Sequence, residues 1–250
     1  MSRIVNIMPM AGLGERFLDS RFNLPKPLIK ILRKPMFIQA SKSLPKSDLN
    51  IFICNKKLLE KFNIKKIIAN EYKKKFKIIT VNRVTKGQAN TCLLAEKLLK
   101  KNDKIFIHSC DSLIKYNLIE LQKKMDESDA VILTTKPNYL HLKNIKSYGW
   151  VNYKNNEIKK ITCKKKASSK PSKDYVIIGS FAFKNKKVYS KTIRSLFKSK
   201  KKINNEYYMD MAFSNALDKN YKIDNLVVKS YISWGTPKEL ISWKRKYGEI

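Results

Sequence analysis

The sequence predicts an α/β fold: a mainly parallel sheet flanked by helices, with a small mixed β-hairpin part. Three observations predict it. Short apolar runs alternate with segments of helical periodicity through the first half of the chain. In the second half that rhythm gives way to a hairpin pattern around Asn155-Asn156. The length, 250 residues of which 43 % are hydrophobic, suits one domain with a substantial core. We therefore treat residues 1–250 as a single domain, with one half at 1–135 and a second at 136–250.

The elements follow in order. Residues 4–8 form a continuous apolar run, expected as a buried first strand. Residues 9–26 read as a long loop with Gly, Arg and Pro. Residues 28–31 are extended, and Pro35 is placed to open a helix running to about Leu44. Residues 49–54 and 76–81 read as strands, and 57–61 and 64–72 as helices between them. Leu93, Leu94 and Leu98 recur at helical spacing, so 88–100 is expected as one helix. A strand at 105–108 ends in Ser109-Cys110-Asp111, followed by a helix at 116–125 and a strand at 130–135. Residues 148–153 and 157–163 form the hairpin. The polar stretch 164–173 is expected as the most mobile loop. A strand at 175–183, helices at 186–197 and 206–217, a strand at 221–228 and a last helix from Pro237 to about Tyr247 complete the chain. Strand–helix alternation in the first half implies parallel pairing through right-handed crossovers.

Composition excludes several classes. No stretch approaches eighteen apolar residues, so no membrane-spanning helix is expected. The first residues lack the apolar segment and small-residue cleavage site of a signal peptide. Cys54, Cys92, Cys110 and Cys163 lie far apart with no C-x-x-C pair, which argues for reduced thiols in a cytoplasmic protein and against a zinc site. The net charge of +34 invites a nucleic-acid reading. Yet only seven of the 54 basic residues are Arg, the residue favoured for bidentate phosphate and base recognition. The lysines are spread over the whole chain, so we read them as compositional bias and expect no specific nucleic-acid partner.

Glycine is the sharper signal. Only seven residues are Gly, so those present are expected where a Cβ is not tolerated. Two of them sit directly after the first strand, in Pro9-Met10-Ala11-Gly12-Leu13-Gly14-Glu15-Arg16-Phe17. A Gly-containing turn at the carboxyl end of a parallel strand is where α/β sheets bind ligands. Its backbone N–H groups can cradle phosphate oxygens, and Arg16 adds a forked cation. Lys26 follows, held between Pro25 and Pro27. The P-loop pattern is absent. The dinucleotide fingerprint fails too, because Phe17 occupies its third Gly position and Cys54-Asn55 its acidic one.

Taken together, Gly12-x-Gly14-x-Arg16-Phe17, Pro25-Lys26-Pro27-Leu28 and Lys34-Pro35-Met36 resemble the signature of the sugar-phosphate nucleotidyltransferases, the NDP-sugar pyrophosphorylase family. The resemblance implies a Rossmann-like, GT-A-type α/β domain. It also implies Mg²⁺-dependent joining of an NTP to a sugar 1-phosphate or similar small phosphate, with release of pyrophosphate. By the same resemblance, Met10, Ala11, Gly12 and Gly14 hold the nucleotide, and Arg16 and Lys26 contact its phosphates. Gly87 and Gln88 in Thr85-Lys86-Gly87-Gln88-Ala89-Asn90-Thr91 face the base. Asp111 binds the metal. On the acceptor side the likeness assigns Gly149 in Tyr148-Gly149-Trp150-Val151, Lys166 in Lys164-Lys165-Lys166, Gly179 in Gly179-Ser180-Phe181-Ala182-Phe183, and Glu206 in Glu206-Tyr207-Tyr208-Met209-Asp210. Trp234-Gly235-Thr236-Pro237-Lys238-Glu239-Leu240 resembles the family's closing D-x-G-T-P-E-x-L motif, but Ser233 stands where a second metal-binding Asp is usual. The shortness of the chain resembles members that serve capsule or surface-polysaccharide synthesis.

Two other functions compete. A nucleotide-sugar-dependent glycosyltransferase would want a D-x-D motif, and Asp111-Ser112-Leu113 does not give one. A catalytically weak nucleotide-binding member is motivated by Ser233 and Lys165. The base, the acceptor and the oligomeric state, a homo-oligomer included, stay open in the sequence. His108 and His141 are read as structural.

Overall fold

A computed structural model describes residues 2–12, 14–17 and 22–248. The chain runs β1 (Ile4–Met10), β2 (Lys30–Ile31), β3 (Lys34–Pro35), α1 (Met36–Ser41), β4 (Leu49–Asn55), α2 (Lys56–Lys61), α3 (Ile64–Tyr72) and β5 (Phe76–Val81). Next come α4 (Gln88–Leu93), β6 (Lys104–His108), β7 (Ser112–Lys115), α5 (Leu118–Glu127), β8 (Ala130–Thr135) and α6 (Tyr139–Lys143). The hairpin strands are β9 (Gly149–Lys154) and β10 (Glu157–Cys163). They are followed by β11 (Tyr175–Phe183), α7 (Lys186–Ser199), α8 (Met209–Leu217), β12 (Ile223–Val227), β13 (Ser230–Ser233) and α9 (Pro237–Lys246).

One sheet organises the molecule, in the order β10-β9-β11-β6-β1-β4-β5, with β8 branching from β11 and β12 pairing with β8. The β6-β1-β4-β5 half is parallel throughout. Parallel strands buried on both faces favour apolar side chains on both, which explains the largely apolar runs; the buried Asn6 of β1 donates to the Asn50 side-chain oxygen of β4 (3.0 Å). Their alternation still sorts the core. Val5, Ile7, Ile51 and Ile53 pack with α4, α7 and α8 residues such as Tyr189 and Phe213 on one face. Met8, Met10, Phe52 and Cys54 pack with Phe37, Ile68 and Trp234 on the other.

β11 is the hinge of the topology. It pairs antiparallel with β9 through Tyr175–Ile177 and with β6 through Ser180–Phe183. Gly179 lies between these two stretches at φ +73°, where its register against β8 also shifts. A residue in the left-handed region turns the strand from one partner to the other. The hairpin thereby extends the main sheet and does not form a sheet of its own. Asn155 and Asn156, both at positive φ, make its two-residue turn as expected.

The departures from expectation have local causes. The helix expected over 88–100 tightens into a 3-10 turn over Leu94–Leu98. Pro35 precedes α1 in extended conformation, because it also pairs with Lys30 in the β2–β3 ribbon. The helix expected from Glu206 begins at Met209, since Glu206 and Tyr207 are held by backbone bonds to Ile203 and Lys86. The loop 164–173 is tethered: Asp174 accepts from the Ser168 N–H and hydroxyl and from Asn152. Among the described residues the four cysteines are free thiols, and no helix is long and apolar enough to cross a membrane.

Candidate functional site

The carboxyl ends of β1 and β6 deliver the loop residues and Asp111 to the same edge of the sheet. Met10 and Ala11 leave β1 buried. Among the described residues, a Cβ placed on Gly12 would meet nothing within 4 Å. Gly14 lies at φ +67°, and its Cβ would come 3.0 Å from Lys26 Cβ. Its bare backbone therefore lets Lys26 approach the loop. The Phe17 N–H donates to the Gly14 carbonyl (2.8 Å), and the Phe17 ring, buried, carries the Lys26 ammonium 5.3 Å from its centroid.

Lys26 projects from a short 3-10 turn bounded by Pro25. Its Nζ donates to Asp111 Oδ2 (2.5 Å) and to the Gly235 carbonyl (3.1 Å). Asp111 is fixed from behind, where the Trp234 N–H donates to its carbonyl (2.8 Å) and β7 pairs with β13. Burial pushes the Asp111 carboxyl up, but the Lys26 ammonium and the Ser109 hydroxyl outweigh it and leave it below the usual carboxylate range. A cavity of about 360 Å³ opens here, lined by Gly12, Gly14, Arg16, Phe17, Lys26 and Gly235, with Val84 and Glu206 on its far side. Arg16 is exposed at its rim. Its charge bears on the Tyr148 and Tyr208 hydroxyls.

The far wall joins segments distant in sequence. Gly87 lies at φ +99°, and a Cβ there would sit 2.6 Å from the Tyr207 carbonyl oxygen and 3.1 Å from Glu206 Cβ. The Tyr207 N–H donates to the Lys86 carbonyl (2.8 Å), and the Ala89 N–H to the Tyr207 carbonyl (3.1 Å). Gly87 is thus required by backbone packing. Gln88, half-buried, opens α4 beside it. Glu206, assigned by resemblance to the acceptor, lines the same cavity as Gly12 and Gly14.

The other acceptor-side residues spread further. Lys166 is exposed. Lys164, two residues earlier, has a left-handed backbone (φ +54°), and its N–H donates to the Tyr148 carbonyl (3.0 Å). Its ammonium lies 4.6 Å from the Tyr208 ring centroid. Sequence reasoning missed Lys164, because a run of three lysines does not reveal which one the backbone turns inward. Gly149 abuts Asp210, the last residue of the segment that the resemblance sets beside the acceptor; the contact itself was not legible in the sequence. Gly179 abuts Ser109, with a Cβ contact of 3.3 Å, and so packs behind Asp111.

The histidines are structural. His108 is fully buried between the Ser180 hydroxyl (2.6 Å) and the Ser112 carbonyl (2.9 Å). Burial drives its pKa down to about 4, so it is neutral. His141 closes a capping box with Asn138.

Mg²⁺ takes hard oxygen ligands, usually one or two carboxylates completed by phosphates and water. Asp111 supplies one ionised carboxylate, a quarter exposed and now satisfied by an ammonium, so a cation fits its chemistry. The Ser233 hydroxyl accepts from the Gly235 N–H (3.2 Å) and brings no charge. Among the described residues no three His, Cys, Asp or Glu side chains gather, so an all-protein cage is not formed.

The sequence model of the nucleotidyl transferase family matches residues 6–247. Comparison with curated proteins returns no match. Solved structures resemble the fold over nearly its whole length. A nucleoside-diphosphate-sugar pyrophosphorylase from Vibrio cholerae matches with TM-score 0.78 at 17 % identity, over 96 % of this chain and 99 % of that one. The inositol-1-phosphate CTP transferase from T. maritima matches with TM-score 0.74 at 18 % identity, over 98 % and 94 %. A UTP-bound UGPase from Acinetobacter baumannii matches with TM-score 0.72 at 16 % identity, over 99 % and 94 %.

Proposed function

From the premise that this chain belongs to the nucleotidyl transferase family, we propose that it joins an NTP to a small phosphorylated acceptor, by preference a sugar 1-phosphate, and releases pyrophosphate. The descriptions of its structural relatives, an NDP-sugar pyrophosphorylase, an inositol-1-phosphate CTP transferase and a UTP-bound UGPase, support that substrate class. The observation that carries the reading is the Lys26 ammonium, clasped by Asp111 and the Gly235 carbonyl beside a cavity that Gly12 and Gly14 also line.

The acceptor phosphate is already an oxyanion at neutral pH. One of its oxygens bonds to the α-phosphorus, the bond from that phosphorus to the β-phosphate oxygen breaks, and pyrophosphate leaves with the electron pair. No side-chain base is required, which suits a site where burial keeps His108 neutral. Positioning and charge neutralisation carry the catalysis. In this reading Gly12 and Gly14, with the backbone of Met10 and Ala11, cradle the triphosphate. Lys26 leaves Asp111 for phosphate oxygens, and Arg16 stands on the side of the incoming acceptor. Gln88 offers one donor and one acceptor to a base edge. Asp111, with phosphate oxygens and water, would hold Mg²⁺, which would neutralise charge on the triphosphate. Gly149 and Glu206 border the acceptor, and Gly179 supports the strand behind Asp111. The nucleotide half is 1–135 and the acceptor half 136–250. We place the activity in the cytoplasm, where NTP is available, and in the supply of surface polysaccharide.

The acceptor phosphate is assigned to Lys164 in preference to Lys166, because Lys164 is the one held inward on Tyr208. Lys164→Ala should raise the acceptor KM by about 10–100-fold, the worth of one charge-assisted hydrogen bond. Lys166→Ala should change it less than about twofold. Equal effects of the two substitutions would return the assignment to the sequence alone.

The function itself is tested by a pyrophosphate-release screen of the four NTPs against phosphorylated sugars and polyols with Mg²⁺. Release that needs both an NTP and a phosphorylated acceptor is expected. Silence with every pair, or sugar transfer from a nucleotide sugar, would replace this reading.

A further inference from the structure

Asp210 lies in the first turn of α8, and its half-buried carboxylate sits under the first residue of β9. A Cβ on Gly149 would stand 2.0 Å from Asp210 Oδ2 and 2.6 Å from its Cγ, so only glycine admits the carboxylate there. The end of β10 closes the other side. The Cys163 thiol and the Lys164 ammonium both act on Asp210 and both favour its charged form. The Lys164 N–H in turn holds the Tyr148 carbonyl, one residue before Gly149. β9, β10 and α8 thus meet at one carboxylate, and the side chain that leaves this junction toward Tyr208 is Lys164.

We propose that Asp210 is a positioning residue for the phosphorylated acceptor: as a carboxylate it seats the Tyr148-Gly149 turn against the end of β10 and sets where the Lys164 ammonium stands. This rests on the reading above that Lys164 receives the acceptor phosphate.

The junction is sensitive to protonation. Burial pushes the Asp210 carboxyl up to about 6, against the opposing pull of its own backbone N–H, the Cys163 thiol and the Lys164 ammonium. Those two side chains are the titratable and charged groups that bear on it. β9 presents only Gly149 backbone, and β11 the apolar Ile177. Above about pH 6 the charged form attracts the Lys164 ammonium through space, and below it the attraction fades. The stability sign is opposite. A carboxyl whose folded pKa is raised stabilises the fold below its unfolded value and loses that contribution as pH rises through the folded one. Asp210→Asn should therefore melt no lower than the wild type at about pH 8.

The test is steady-state kinetics from about pH 5 to about pH 8.5, with the acceptor taken from the pyrophosphate screen, glucose 1-phosphate first. The acceptor's own phosphate titrates in this range, so the quantity read is the ratio of Asp210→Asn to wild type. We expect the acceptor KM of Asp210→Asn to be about tenfold above wild type near pH 7.5, with kcat changed much less. The two should converge below about pH 5.5, and Cys163→Ala should move the wild-type midpoint upward. Superimposed profiles, or a loss in kcat with KM untouched, would overturn the role. If Lys164→Ala leaves the acceptor KM unchanged, the assignment of Lys164 fails and this inference with it. If Lys164→Ala raises KM while the Asp210→Asn profile matches wild type, only this inference fails.

Discussion

Asp111→Ala and Arg16→Ala are each expected to fold as the wild type does and to lose about 10²–10³-fold in kcat, the usual cost of one electrostatic contact to a developing charge. Neither side chain supports the core. Arg16 is exposed, and Asp111 meets solvent over a quarter of its side chain. Its ion pair with Lys26 is partly open to water, which limits its contribution to stability. Without the carboxylate, Lys26 keeps the Gly235 carbonyl, and the ionised ligand that Asp111 offers a divalent ion is gone. Asp111→Asn keeps the shape and removes only the charge, so it should lose nearly as much. Thermal melts with pyrophosphate-coupled kinetics check both halves of the claim. Full turnover in Asp111→Ala and Arg16→Ala alike would remove the electrostatic mechanism.

The second large effect is on folding. Gly87→Ala should lower unfolding stability by about 2–4 kcal/mol, read from the urea midpoint. The backbone there lies at φ +99°, and the new methyl would press 2.6 Å from a backbone oxygen that cannot rotate away. Relief would break the bonds from Tyr207 to Lys86 and from Ala89 to Tyr207, which hold Glu206 on the cavity wall. Gly12→Ala is the contrast. Its methyl meets none of the described residues, so stability should stay within about 0.5 kcal/mol while NTP affinity falls, because the added atoms fill space meant for phosphate. Opposite results for the two glycines would show that the loop is structural and the helix start the more permissive position.

Much of this was legible in the sequence because it is local. Strands at 76–81, 130–135 and 175–183 match their apolar runs, and the Asn155-Asn156 turn matches its residues. The likeness carried by Gly12, Gly14, Arg16 and Lys26 falls on one cavity wall. What stayed hidden is pairing across long separations. β7 and β13 are four residues each, and neither run is a strand until the other lies beside it. Each is an apolar pair between polar residues, Ser112-Leu113-Ile114-Lys115 and Ser230-Tyr231-Ile232-Ser233, a signal too short to decide alone. Asp210 reaches Gly149 across sixty residues, and no spacing rule brings a helix start under a strand start. The choice of Lys164 over Lys166 depends on one left-handed backbone position that Lys rarely adopts.

The account stands on a triphosphate lying in the Gly12–Gly14 loop. The most direct measurement is a crystal structure with a non-hydrolysable NTP and Mg²⁺. We expect the phosphates against the backbone of Gly12 and Gly14, with the Lys26 ammonium drawn off Asp111 onto phosphate oxygen and the base beside Gln88. Phosphates bound elsewhere, with Lys26 still closed on Asp111 and the Gly235 carbonyl, would contradict it.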